Sequence, residues 1–296
     1  MQQLYVFGTG NAQAIHCYNT CFALRADEDY FLVDAGGGNG ILRILQEMAV
    51  PLNRIHHLFV SHAHTDHVLG VIWIIRTIAQ AMKKKQYEGK LHVYCHAELA
   101  EQLHTLCQIT FPTKKLYRLL DDRIVFSVVE DGESKKILGH RVTFFDLGST
   151  KRKQFGFQVR LREGGRLCFG GDEPLQKRNW RYAEGADWLL HEAFCCYADR
   201  ERFQPYEKNH STAKDACELA HSLQVKHLVL WHTEDNDLPH RKEKYGAERG
   251  EYRGVLHIPD DGEILPLSQG RQKDLSDHME CDKIENRTIF AKTKEV

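Results

Sequence analysis

A chain of 296 residues with 42% hydrophobic and 27% charged side chains can bury a large core, which excludes bulk disorder. Its 40 basic and 41 acidic side chains leave a net charge of −1, so nothing global marks a nucleic-acid binder. The nine cysteines lack the paired C-x-x-C spacing of a zinc ribbon and read as small buried hydrophobes of a reducing cytosol. From the N-terminus, apolar and β-branched or aromatic runs between turn residues predict strands at Leu4–Gly8, Cys21–Leu24 and Tyr30–Asp34. Helical spacing covers Ile41–Met48, and a buried strand is expected over His57–Val60. The apolar run from His67 to Met82 is broken by Arg76 and short for a bilayer, so it reads as a buried helix. Further strands are expected at Leu91–Cys95, Ile124–Val129, Val142–Phe145, Phe155–Leu161, Leu167–Phe169, Trp188–Leu190 and His227–Leu230. Helices are expected at Ala97–Thr110, Arg178–Glu184 and Thr212–Leu223. Strands first, then strands mixed with helices, imply two packed sheets flanked by helices. Residues 1–267 are expected to form one domain, and the polar stretch 268–296 a partly helical or loosely ordered extension. No signal-like or membrane-spanning segment is evident, which predicts a cytoplasmic protein with no membrane partner.

The chemistry concentrates in Ser61-His62-Ala63-His64-Thr65-Asp66-His67, at the end of a strand and the start of a helix. Imidazole is the usual zinc ligand and carboxylate its usual companion, so three His and one Asp in one loop are costly unless a cation binds them. A tight loop turns His62 and His64 toward one ion, and Asp66 and His67 toward a second about 3.5–4 Å away, a spacing at which two metals share a water. Zinc is the expected metal, as one or two ions, with manganese or iron as alternatives.

With this motif, the chain resembles the metallo-β-lactamase superfamily, and within it ribonuclease Z and its relatives, over about residues 4–267. Phe7-Gly8-Thr9-Gly10 and Val33-Asp34-Ala35-Gly36-Gly37-Gly38 are similar to the family's opening turns. The resemblance implies an α/β architecture, the αββα four-layer sandwich of two mixed β-sheets flanked by helices. It also implies that Asp172, in Cys168-Phe169-Gly170-Gly171-Asp172, bridges the two metals, and that His232, ending Leu228-Val229-Leu230-Trp231, completes the second site with Asp66 and His67. His210, in His210-Ser211-Thr212-Ala213, corresponds to the family's histidine near the leaving group, and Glu192 to the residue that steadies it, so Asp66, His210 and Glu192 are the expected catalytic residues.

Two departures from the family pattern stand out. The third histidine of the first metal site is missing, and Ser149, a poor ligand beside imidazole, falls in its place, so the first site is expected to be weak. The tRNA-gripping arm of tRNA-processing members has no room, because only 22 residues lie between Ser149 and Asp172. Within that stretch Lys151-Arg152-Lys153 is placed to attract an anionic substrate. The expected function is hydrolysis of RNA or of a small cyclic or nucleotide phosphodiester by hydroxide activated at the metal. Thioester or lactone hydrolysis, and a non-catalytic metal- or nucleic-acid-binding member with a degenerate first site, are the alternatives; a homodimer is also open.

Overall fold

The computed structural model describes residues 1–162 and 164–267, so the expected extension at 268–296 lies outside the described residues. The first half contributes strands β1 (Gln3–Gly8), β2 (Cys21–Ala26), β3 (Asp29–Val33), β4 (Ile55–Phe59), β5 (Leu91–Cys95) and β6 (Ile124–Val128). The second half contributes β7 (Ser134–Ile137), β8 (His140–Asp146), β9 (Phe155–Arg160), β10 (Arg166–Phe169), β11 (Trp188–Glu192), β12 (His227–Trp231) and β13 (Val255–His257), and the described residues end with β14 (Ile264–Pro266). One sheet has the order β14-β1-β2-β3-β4-β5-β6 and the other β13-β12-β11-β10-β9-β8-β7, seven strands each, both mixing parallel and antiparallel pairs. The helices are α1 (Gly40–Glu47), α2 (Thr65–Lys83), α3 (Ala97–Thr110), α4 (Lys114–Tyr117), α5 (Trp180–Ala183), α6 (Arg200–Phe203), α7 (Ala213–Ser222) and α8 (Arg241–Ala247).

Alternation along the strands sorts the side chains into three apolar layers. Phe22, Phe31, Phe59, Phe144, Phe157, Phe169 and Trp231 meet between the sheets, with the Phe22 ring 4.7 Å from Trp231 and 5.2 Å from Phe169. One residue along, Leu32 and Leu58 point the other way, against Val71, Ile75 and Ile78 of α2 and Leu103 of α3. On the far side Leu189, Leu228 and Leu230 receive the small residues Ala213, Ala216, Cys217 and Ala220 of α7. Burying each large apolar side chain contributes roughly 1.5–3 kcal/mol, so the layers hold the sandwich together. The order helix, sheet, sheet, helix is the four-layer αββα sandwich expected from the sequence.

This architecture puts the chemistry at one edge. The loop after β4, the turn after β10, the end of β11 and the turn after β12 all leave the carboxyl ends of parallel strands, where ligand sites of such sheets form. The hairpin of β9 and β10 is direct, with Arg166 opposite Arg160, so no arm interrupts it. Among the described residues no helix is long and apolar enough to cross a membrane.

Candidate metal centre and cleft

His64 caps α2 in extended backbone, which places Asp66 in the first helical turn and turns His67 inward. The turn Gly170-Gly171 delivers Asp172, and His232 follows β12 in left-handed backbone at φ 56°. Three imidazole nitrogens surround one carboxylate oxygen: Asp172 Oδ2 is 3.3 Å from His62 Nε2, 3.4 Å from His67 Nε2 and 3.7 Å from His232 Nε2. Asp66 Oδ2 stands 3.3 Å from His67 Nε2, and His64 Nδ1 is 2.8 Å from His62 Nε2. His62, His67 and Asp172 form one donor group and Asp66, His67 and His232 another, all buried.

These donors fit a divalent cation on their own geometry. Four ligands about 2.0–2.2 Å from a tetrahedral ion lie roughly 3.3–3.5 Å apart, close to the separations found here. His67 Nε2 is buried without a hydrogen-bond partner, and an uncompensated imidazole nitrogen facing two carboxylates is costly unless an ion joins them. Asp34 supplies the tautomer: its Oδ2 lies 2.8 Å from His67 Nδ1, which leaves Nε2 to face the cluster. Asp34 also accepts the Ser61 N–H at 2.8 Å and the Ser61 hydroxyl at 2.6 Å, fixing the start of the loop.

Electrostatics follow from burial and pairing. Burial alone would raise the Asp172 carboxyl, but the His62 and His67 imidazoles hold it well below the usual range. Burial opposes a charge on His67 as well, yet Asp66 and Asp34 outweigh it and raise its pKa. His232, which is wholly buried, is pushed down to about 3, chiefly by burial.

The cluster opens into a cleft of about 470 Å³ lined by Asp66, Asp172, His232, His210, Lys151 and Arg152, among others. His210 stacks on Phe194, with centroids 4.7 Å apart, and its Nδ1 lies 3.5 Å from Glu192 Oε2. Burial would lower the His210 pKa, but the Glu192 carboxylate overrides it, and the net shift is upward. The other Glu192 oxygen accepts the Ser211 N–H and hydroxyl, both at 2.6 Å, so the carboxylate cannot swing away.

Most of the residues named from the sequence meet here, and two do not. Ser149 is turned from the cluster: its hydroxyl donates to Glu173 Oε1 at 2.7 Å. Lys153 leaves the cleft, with its ammonium 5.5 Å above the Phe155 ring and its carbonyl 3.0 Å from His96 Nε2. Three contributors carried no local signal. Lys208 lines the cleft as a further cation. Asp34 sits in a strand-plus-turn motif that looks structural by itself. Gln154 is a lone glutamine before a strand, yet it is almost wholly buried against His62 and Asp172.

Comparison with known proteins agrees with this fold. The family described as anti-Pycsar protein Apyc1 matches residues 2–250. The ribonuclease Z of Myxococcus xanthus strain DK1622 is 24% identical over 309 residues, covering 90% of this chain and 97% of that protein. Among solved structures, the metallo-β-lactamase fold protein YhfI from Bacillus subtilis aligns with a TM-score of 0.73 at 17% identity, covering 90% of this chain and 99% of its own. A diphosphatase of the PhnP family aligns with a TM-score of 0.69 at 16% identity, covering 90% and 96% respectively. These likenesses identify the sandwich as the metallo-β-lactamase fold.

Proposed function

The chain belongs to the anti-Pycsar protein Apyc1 family and is a metallo-β-lactamase superfamily hydrolase similar to ribonuclease Z, and from that premise we propose that it is a metal-dependent phosphodiesterase acting on a small cyclic or nucleotide phosphodiester. The observation that carries this reading is the cleft itself, where Lys151, Arg152 and Lys208 line the same space as His210 and the donor cluster. Cations beside a carboxylate-supported imidazole suit an anionic ester whose leaving oxygen must be protonated. A cleft of about 470 Å³ with no arm beside it among the described residues favours a small substrate over a folded RNA.

Residues 62, 64, 66, 67, 172 and 232 would hold the metal, zinc by the donor set, with manganese or iron as alternatives. When bound, a divalent ion supplies Lewis-acid charge and activates water for in-line displacement. The protein's own groups do the rest. Lys151, Arg152 and Lys208 draw in and orient the phosphate oxygens. Glu192 faces His210 Nδ1 and leaves Nε2 to give its proton to the departing oxygen. Asp66, at the helix start, keeps His67 and the attacking side of the substrate in register.

The test is a panel of cyclic nucleotides, a bis-aryl phosphodiester, short RNA, a thioester and a lactone, each offered to the metal-loaded protein. Turnover of the small phosphodiesters, lost in Asp66→Ala and Asp172→Ala and reduced about 10²–10⁴-fold in His210→Ala, is the expected result. Thioester or lactone turnover with phosphodiesters untouched overturns the substrate class. Silence of a fully metal-loaded protein on every substrate overturns catalysis.

A further inference from the structure

Gln154 is a polar side chain almost wholly buried beside the donor cluster, just before β9, and no catalytic role calls for it. Its amide nitrogen donates to Asp172 Oδ1 and lies 2.9 Å from His62 Nδ1, and its carbonyl Oε1 accepts the Asp172 N–H at 3.4 Å. The amide cannot be reversed, because an ionised carboxylate only accepts hydrogen bonds and would then face another acceptor. The seat is built for this side chain. Gly171 holds φ 77°, and a Cβ there would come within 2.6 Å of Gln154 Oε1 and 2.4 Å of Leu147 Cδ1. The backbone is pinned too, with the Leu147 N–H donating to the Gln154 carbonyl at 2.9 Å.

We propose that Gln154 replaces the absent third imidazole by gripping the shared carboxylate instead of the ion: it ties off Asp172 Oδ1, so that Oδ2 alone is presented to His62, His67 and His232. Gln154 is thus a positioning residue. Both ends of its amide are spent on Asp172, so it offers the donor group of His62, His67 and Asp172 no further atom. Because Oδ2 faces both donor groups, loosening Asp172 weakens both ions together, whereas loss of a direct ligand weakens one.

The inference rests on the metal centre proposed above but not on its substrate, and its test reads metal affinity. Zinc is titrated into apo wild type, Gln154→Leu and Gln154→Met against a chromophoric chelator, with the unfolding midpoint of each apo protein recorded. The expected result is a ten- to hundred-fold loss of affinity for every ion the wild type binds, with apo stability still cooperative, and a shifted ligand-field spectrum of the cobalt-loaded variant. Affinities within twofold of wild type overturn the proposal. Loss of one ion alone, the other unchanged, also overturns it, because Gln154 would then be a ligand. Should neither variant fold, the wild type decides: a cobalt spectrum or metal-edge absorption requiring an amide oxygen in the coordination shell overturns the positioning role, and its absence with Asp172 bound through one oxygen supports it. A substrate panel that fails while these affinities shift would sink the phosphodiesterase reading and leave Gln154 in place.

Discussion

Asp34 adopts left-handed backbone at φ 52°, an uncommon conformation for a residue with a Cβ, and it does so at the point where it reaches both His67 and Ser61. Asp34→Ala should therefore lower metal affinity about 10–100-fold while every donor atom remains, as a chelator competition would measure. Gly70 makes a second single-residue case. Its N–H donates to the Gly36 carbonyl at 2.8 Å, and a Cβ would stand 1.8 Å from the Ala35 carbonyl oxygen. Alanine is the better helix former, yet Gly70→Ala should destabilise by about 1–3 kcal/mol, because α2 must move off the glycine turn; a rise in the denaturation midpoint would refute the contact. The candidate site was legible in the sequence where its donors are neighbours, as in His62 to His67. Asp34 and Gln154 were not, since a lone Asp or Gln acquires its role only from partners that folding brings from 18 or more positions away.

At the scale of elements, two loops that flank the cleft are latched through Glu173. Ser149 donates to one Glu173 oxygen and Asn209 Nδ2 to the other, both at 2.7 Å, which ties the loop carrying Lys151 and Arg152 to the loop carrying Lys208 and His210. The Ser149 hydroxyl also receives the Lys151 N–H at 3.2 Å, shaping the cationic turn. Ser149→Ala should thus raise KM for an anionic substrate about 5-fold, the worth of about one hydrogen bond, with kcat and metal content nearly unchanged. A drop in metal stoichiometry instead would return Ser149 to the ligand role the sequence assigned it. Elements with a clear apolar pattern were readable: β5 and α3 coincide with their expected bounds. The elements that escaped were short edge strands, the four-residue helices α4 and α6, and one longer polar helix. β7 reads Ser-Lys-Lys-Ile, with charges that suit an edge and mask the period, and β13 and β14 have three residues each. α8 carries four charged residues among its seven and buries only Arg241 and Tyr245, so no apolar stripe announces it. Pairing of β14 with β1, Gln3 opposite Pro266, closes the sheet across nearly the whole described chain, which no local pattern can foretell.

For the whole molecule, acid sensitivity is built into both sheets away from the metal. His57 on β4 is held neutral by burial, with His92 adding to the effect, and its pKa falls to about 4; its Nδ1 lies 3.0 Å from the Tyr94 hydroxyl. His257 on β13 falls to about 4 for the same first reason, with His227 adding, and stacks 5.0 Å from the Trp188 ring. In the unfolded chain both titrate near 6.5, so between about pH 6.5 and 4 the unfolded state binds more protons than the folded one. Stability must then rise with pH through that window, be complete above 6.5, and lose this contribution progressively as pH falls toward 4. The two groups lie in different sheets and share no partner, so their effects should add. Urea unfolding of chelator-treated protein at pH 7.5, 6 and 5 isolates the effect from metal loss. Wild type should lose stability steadily over these points, and the double variant His57→Gln/His257→Gln should show a shallower decline. Parallel curves for the two proteins would mean that the acid response comes from other groups, and that these two imidazoles already carry a proton in the folded state.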